Sequence, residues 1–166
     1  MANRALLVGI NEYRDAPLRG CINDVLDVHE FLCGKRNFAA SDIRVLLDDQ
    51  ATTANIKQHL QDWLVRDPAP NDRLLFHFSG HGTQLPGHDG TVHDVVCPFD
   101  FDFTEANALS DVDFSAIFKA LPVGVGFVWI SDSCHSGDLA RGRANPGAIP
   151  RFLPPPPQIM AQIDAC

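Results

Sequence analysis

The chain has 166 residues, 45% of them hydrophobic and 20% charged, enough apolar material for one domain with a substantial core. A formal net charge of −8 leaves no excess of Lys or Arg to neutralise phosphates, which excludes nucleic acid as the main partner. No run approaches the roughly 18 consecutive apolar residues of a membrane span, so no membrane partner is expected. The apolar run at residues 5–10 is too short for a signal-peptide core and no small-residue cleavage site follows it. A cytoplasmic location is therefore expected. The five cysteines are scattered and form no C-x-x-C pair, which fits reduced thiols rather than a disulfide framework.

Taken in chain order, the first element is a buried strand over residues 4–10 (RALLVGI), ending at a glycine. Residues 23–32 carry Val25, Leu26, His29 and Leu32 at near-helical spacing. Residues 43–47 (IRVLL) form a second strand, and Ile56, Leu60 and Leu64 mark a helix over 53–65. A third strand spans 73–78 (RLLFHF), closed by Ser79 and Gly80. A third helix covers 114–121, with Asp113 as its cap or first-turn acid. The last strand spans 126–130 (GFVWI) and stops at Ser131 and Asp132. Residues 88–108 are expected to be an irregular loop. The prolines at 154–157 require an extended or polyproline II backbone. Strands alternating with helices predict a mainly parallel open sheet with helices on both faces. Ligands of such sheets bind at the carboxyl ends of the strands.

Two short stretches lie at that edge. FSGHGTQ (residues 78–84) follows the third strand and ISDSCHSG (130–137) follows the fourth. If those strands are neighbours, His81 and Cys134 come from adjacent loops. An imidazole beside a thiol can hold it as a thiolate, lowering its pKa from about 8.5 by several units. The same ring can then protonate a leaving amine. The backbone N–H groups of Gly82 and Cys134 are candidate oxyanion donors. Against this, a cysteine at a strand end commonly belongs to the core, and a histidine between glycines can serve only a turn. His135 adjoins the nucleophile candidate, but acting as its base would need an awkward fold-back. His81 arrives from another loop.

The SGHGTQ and DSCHSG stretches, with RALLVGINEY and LRGCINDV before them, resemble the catalytic large subunit of metacaspases, in particular the bacterial orthocaspases. The resemblance runs over residues 4–138, in order and in matching strand or loop settings. It implies the caspase-haemoglobinase α/β fold and a cysteine endopeptidase with Cys134 as nucleophile and His81 as base. It further implies an acidic primary specificity pocket, with cleavage after Arg or Lys, mapped onto Cys21, Asp24, Ser79 and Asp132. Two carboxylates converging there would favour a guanidinium through charge-assisted hydrogen bonds and repel a substrate aspartate. A plainer role for Asp24 is a first-turn acid on its helix, and for Asp132 a turn residue.

The chain departs from the family pattern in two ways. Many metacaspases need calcium, through positions that fall here at His93, Asp111, Val112 and Arg141. Only Asp111 keeps a carboxylate, whereas calcium takes roughly six to eight oxygen ligands. Calcium independence and no cofactor are expected, although Asp94 and Asp113 adjoin those positions. The family's fold also adds small-subunit strands after the nucleophile loop, and none is expected in the residues given: either the protein has only the large-subunit half, or the chain is a fragment whose partner piece is elsewhere. That divides the chain into a catalytic domain over 1–138 and a proline-rich flexible tail or processing linker over 139–166. A small-subunit segment, a partner chain or self-association is expected to complete the sheet, whose edge would otherwise stay open. Arg141, Arg143 and Arg151 in the tail are candidate self-cleavage sites, and the expected substrates are peptides or proteins with basic residues.

Two other readings stay open. His77, His81, His88, His93 and Cys97 could ligate zinc, but strand alternation separates His77 from the rest and no H-E-x-x-H pattern exists. A non-catalytic caspase-like scaffold that binds a partner chain is the stronger alternative. Intact His81, Cys134, Asp24 and Asp132 speak against it.

Overall fold

In a computed structural model of the chain, residues 1–133 and 150–166 are described. Four parallel strands form the central sheet: β1 (Asn3–Gly9), β2 (Ile43–Leu47), β3 (Arg73–Ser79) and β7 (Gly126–Asp132). Their spatial order is β2-β1-β3-β7. Side chains alternate between the two faces of β1, as the pleat requires. Ala5 and Leu7 pack with Val25 and Leu32 of α1 (Cys21–Lys35), while Leu6 and Val8 face the opposite layer. That second layer holds α2 (Thr53–His59), continued by a wider turn over Leu60–Leu64, and α3 (Asp111–Ala120). Ile56, Leu60, Leu64 and Phe114 meet Leu74, Phe76 and Phe78 of β3 there. Phe114 stacks between Phe76 and Trp129, with ring centroids 5.3 and 3.9 Å away. Burying a side chain such as Phe76 or Phe114 contributes roughly 1.5–3 kcal/mol.

The parallel sheet with helices on both faces is the architecture expected from the sequence, with longer elements. The first helix begins at Cys21, two residues before the expected range of 23–32, and extends to Lys35. α3 begins at Asp111, because Ser110 and Asp113 close a reciprocal capping box: each side chain takes the other's backbone N–H. β7 continues through Ser131 and Asp132, which pair with Phe78 and Ser79 of β3.

The expectation of an irregular loop over 88–108 is corrected. β4 (Gly82–Pro86) and β5 (Val92–Val96) form an antiparallel hairpin, to which β6 (Leu109–Ser110) adds. The turn closes through Gly87 N–H on the Thr91 carbonyl, with Asp89 accepting from the Thr91 backbone and hydroxyl. The strand signal is masked by His93 and Asp94, two consecutive polar residues in a short segment, of which Asp94 is exposed. The tail also carries structure: α4 (Pro157–Ile163) opens on a proline, a residue suited to a first helical turn, and Ile159 packs against Leu85, Val95 and Ala108. Pro156, just before it, has polyproline II angles.

No helix among the described residues is long and apolar enough to cross a membrane. β7 is an edge strand, and Val128 and Ile130 on its α1-facing side are 51% and 39% exposed. With Phe31, Leu32, Phe38 and Leu75 they line an apolar groove that α1 does not cover.

Candidate active site

Parallel register gathers the site. Gly9 of β1 lies beside Ser79 of β3, and Ser79 beside Asp132 of β7, so three carboxyl ends meet. α1 starts above them. Its approach to β1 depends on Gly9, where a Cβ would lie 2.8 Å from Val25 and 2.9 Å from the Cys21 carbonyl. Asp24 sits in the first turn of this helix, so the dipole role read from the sequence coexists with a place in the site.

Asp24, Ser79 and Asp132 converge on one guanidinium, that of Arg151 from the tail. Arg151 Nη2 lies 2.5 Å from Asp24 Oδ2, and Nη1 lies 2.7 Å from Asp132 Oδ2. Nη1 also donates to Ser79 Oγ at 2.9 Å and to the Asp132 carbonyl at 2.8 Å. Ser79 in turn donates to Asp24 Oδ2 at 2.8 Å. Burial alone would raise the Asp24 carboxyl, but hydrogen bonds from Arg151 and Ser79 outweigh it and hold the group below its ordinary range. For Arg151, burial works against the charge and the Asp24 hydrogen bond restores it, so its pKa is raised. Cys21 lies buried at the foot of the pocket, its thiol pushed up by burial. The four pocket residues named from the sequence are thus together.

The backbone of the same tail segment runs along Gly82. Gly82 N–H donates to the Arg151 carbonyl at 2.9 Å, and Leu153 N–H donates to the Gly82 carbonyl at 2.9 Å. A parallel bridge between Gly82 and Phe152 results. The proposed oxyanion donor is therefore occupied by the carbonyl of a residue whose side chain fills the acidic pocket.

His81 is 2% exposed and its orientation is fixed from two sides. Its Nε2 lies 2.7 Å from the Ala16 carbonyl oxygen. A carbonyl only accepts, so Nε2 carries a proton and Nδ1 is left as the nitrogen free for chemistry. Nδ1 is buried without a hydrogen-bond partner among the described residues. Below the ring, the Tyr13 hydroxyl accepts from His81 N–H at 3.0 Å and donates to the Cys97 carbonyl at 2.7 Å. The two rings are 4.6 Å apart. Gly80 permits this arrangement, since a Cβ there would fall 2.5 Å from the Tyr13 hydroxyl.

Cys134, His135, Arg141 and Arg143 lie outside the described residues. Tyr13 and Ala16 were not singled out from the sequence. Ala16 acts through its backbone, which leaves no side-chain signal, whereas Tyr13 falls within the NEY run and could have been questioned as a buried hydroxyl.

Among the described residues, the remaining histidines do not gather. His77 is buried within β3, and burial lowers its pKa. His88 faces Glu105, and His93 stands between Asp89 and Asp111, 3.5 and 3.4 Å from their carboxylates. Cys97 is a buried thiol raised well above its ordinary pKa by desolvation. No three His, Cys, Asp or Glu side chains among the described residues are placed to hold a metal ion.

A parallel α/β sheet with a constrained imidazole and a two-carboxylate pocket at its carboxyl edge defines a caspase-like domain. The family model described as "Metacaspase, peptidase C14 domain" matches residues 3–141. Metacaspase-1 of Coccidioides immitis is 43% identical over 146 residues, covering 81% of this chain and 31% of that protein. Metacaspase-1A of Aspergillus niger is 42% identical over 145 residues, covering 81% and 35%. The chain belongs to the metacaspases and spans about a third of the length of these relatives. Among solved structures, protein GSU0716 from Geobacter sulfurreducens superposes with a TM-score of 0.74 at 26% identity, covering 99% of this chain and 62% of that one.

Proposed function

We propose that the chain is the catalytic portion of a cysteine endopeptidase that cuts after Arg, and less readily after Lys. The observation that carries this reading is the handling of Arg151: guanidinium between Asp24 and Asp132, carbonyl on Gly82 N–H. A substrate arginine in that position would present its carbonyl carbon to Cys134. The Cys134 thiol gives its proton to His81 Nδ1 and attacks as the thiolate, and the Gly82 and Cys134 N–H groups stabilise the developing oxyanion. The C–N bond breaks as His81 Nδ1 gives its proton to the leaving amine, leaving a thioester. Water then attacks, His81 Nδ1 takes its proton, and the acid product leaves with Cys134 regenerated. Lysine is a poorer fit because a point ammonium cannot engage two carboxylates as a planar fork does.

The test is hydrolysis of fluorogenic peptides ending in Arg, Lys or Asp. Arg should lead and Asp should not be cut, and Asp24→Asn should lower kcat/KM for Arg by at least about tenfold, one charge-assisted hydrogen bond. Equal rates for Arg and Asp peptides would reject the reading.

We infer calcium independence for the same site, supported by His93, whose ring faces Asp89 and Asp111 where the family would place a carboxylate. Arg151 is the favoured self-cleavage site over Arg141 and Arg143, because its carbonyl already rests on Gly82 N–H. A small-subunit strand is the proposed partner for the β7 edge, supported by the exposed Val128 and Ile130 and by the greater length of the relatives. Co-expression with such a strand should protect the β7 amides from hydrogen exchange. A second copy pairing there instead would show as a dimer. We place the protein in the cytoplasm, a reading supported by the scattered spacing of its cysteines and by the free thiols of the four that are described.

A further inference from the structure

The acidic pocket already holds a ligand, and that ligand is covalently part of the chain. Arg151 is only 18% exposed at its side chain, although it belongs to a segment rich in proline. Its charge is met by Asp24 and Asp132, and its carbonyl by Gly82 N–H. The next residues continue the track: Leu153 N–H bonds the Gly82 carbonyl and the Leu153 side chain packs against the main core. α4 then anchors the far end through Ile159. An ordinary surface arginine would not be expected to pair both pocket carboxylates and lie in register with the backbone of the cleft.

We propose that residues Arg151–Leu153 are a tethered competitor, which must leave the cleft before an arginine-bearing substrate can enter. The proposal rests on the reading of the acidic pocket as the substrate's arginine site. It adds that access to this pocket is set by the tail, and that the register puts Phe152 and Leu153 on the leaving side of the cut. A tether makes the competition intramolecular, so the pocket faces a high effective concentration of arginine at any protein dilution. Apparent affinity for a substrate falls by the fraction of molecules in which the tail is undocked.

The test uses the full chain with Cys134→Ala, which separates binding from cleavage. N-acetyl-arginine amide is titrated while the Ser79 and Gly82 amide resonances are followed. Arg151→Ala should bind the probe at least about tenfold more tightly than protein retaining Arg151, and Arg151→Lys should fall between. Leu153→Pro removes the N–H that reaches the Gly82 carbonyl without altering the pocket, and should also tighten binding, by less. Thermal unfolding of each variant identifies any that fail to fold, and the two sites give independent routes to the same answer. Equal affinity across folded variants would overturn the proposal while leaving the peptidase reading intact, provided the active enzyme still cuts Arg peptides. No binding to any variant would overturn both.

Discussion

The Nε2 of His81 lies 2.7 Å from the carbonyl oxygen of Ala16, a residue 65 positions earlier in the chain. That contact decides which ring nitrogen holds its proton and which is left without a hydrogen-bond partner among the described residues. The loop that supplies Ala16 also supplies Tyr13, so a single segment orients both the ring and the backbone of His81.

Tyr13→Phe should therefore damage more than packing. It leaves the His81 N–H and the Cys97 carbonyl buried without their shared partner, at a cost of about 1–3 kcal/mol. Urea unfolding should report that loss. In the enzyme, kcat should drop with little change in KM for an Arg peptide, since the pocket carboxylates are untouched.

The Asp24 carboxyl should titrate higher in Arg151→Ala. Burial raises this group, and the guanidinium that overcomes burial is gone in the variant. In the parent the folded value lies below the ordinary 3.8, so the stability from this contact is present above that pH and is lost as pH falls through the folded value. Carbon-detected NMR titration of the aspartates measures the difference. An unchanged Asp24 midpoint would mean that Arg151 does not dwell in the pocket.

His77 should make the fold acid-sensitive. Burial lowers its pKa from 6.5, and its Nδ1 has no hydrogen-bond partner among the described residues. The unfolded chain then takes up a proton first, so stability from this residue is full above about pH 6.5 and declines as pH falls toward the folded value. His77→Leu should flatten the dependence between pH 7 and pH 5 seen in denaturant midpoints.

Calcium should change little. Activity toward an Arg peptide should be equal in chelator and in millimolar calcium, because a histidine occupies the place between Asp89 and Asp111. A strict calcium requirement would show that other oxygens assemble a site.

Much of this was legible in the residues. The apolar runs of β1 and β3 bury both faces and carry no polar interruption except His77, so the parallel sheet follows from pattern alone. The pocket residues Asp24, Ser79 and Asp132 came from motif resemblance, and strand register then explains why they meet. The β4–β5 hairpin was obscured because its strands are short and β5 carries the consecutive polar residues His93 and Asp94, which break the alternation. The docking of the tail was not foreseen either. A proline-rich segment reads as extended chain, and nothing local says that Arg151 will meet Asp24, 127 positions earlier in the chain, together with Asp132.

The most direct measurement is covalent labelling. A peptide chloromethyl ketone ending in arginine should alkylate Cys134, located by peptide mass spectrometry, and an aspartate-ending reagent should not. Replacing His81 with alanine should slow the labelling by at least about a hundredfold, within the range expected for a positioned acid–base group. Labelling spread over Cys21, Cys33, Cys97 and Cys166, or equal labelling by both reagents, would contradict a thiol–imidazole pair served by an arginine pocket.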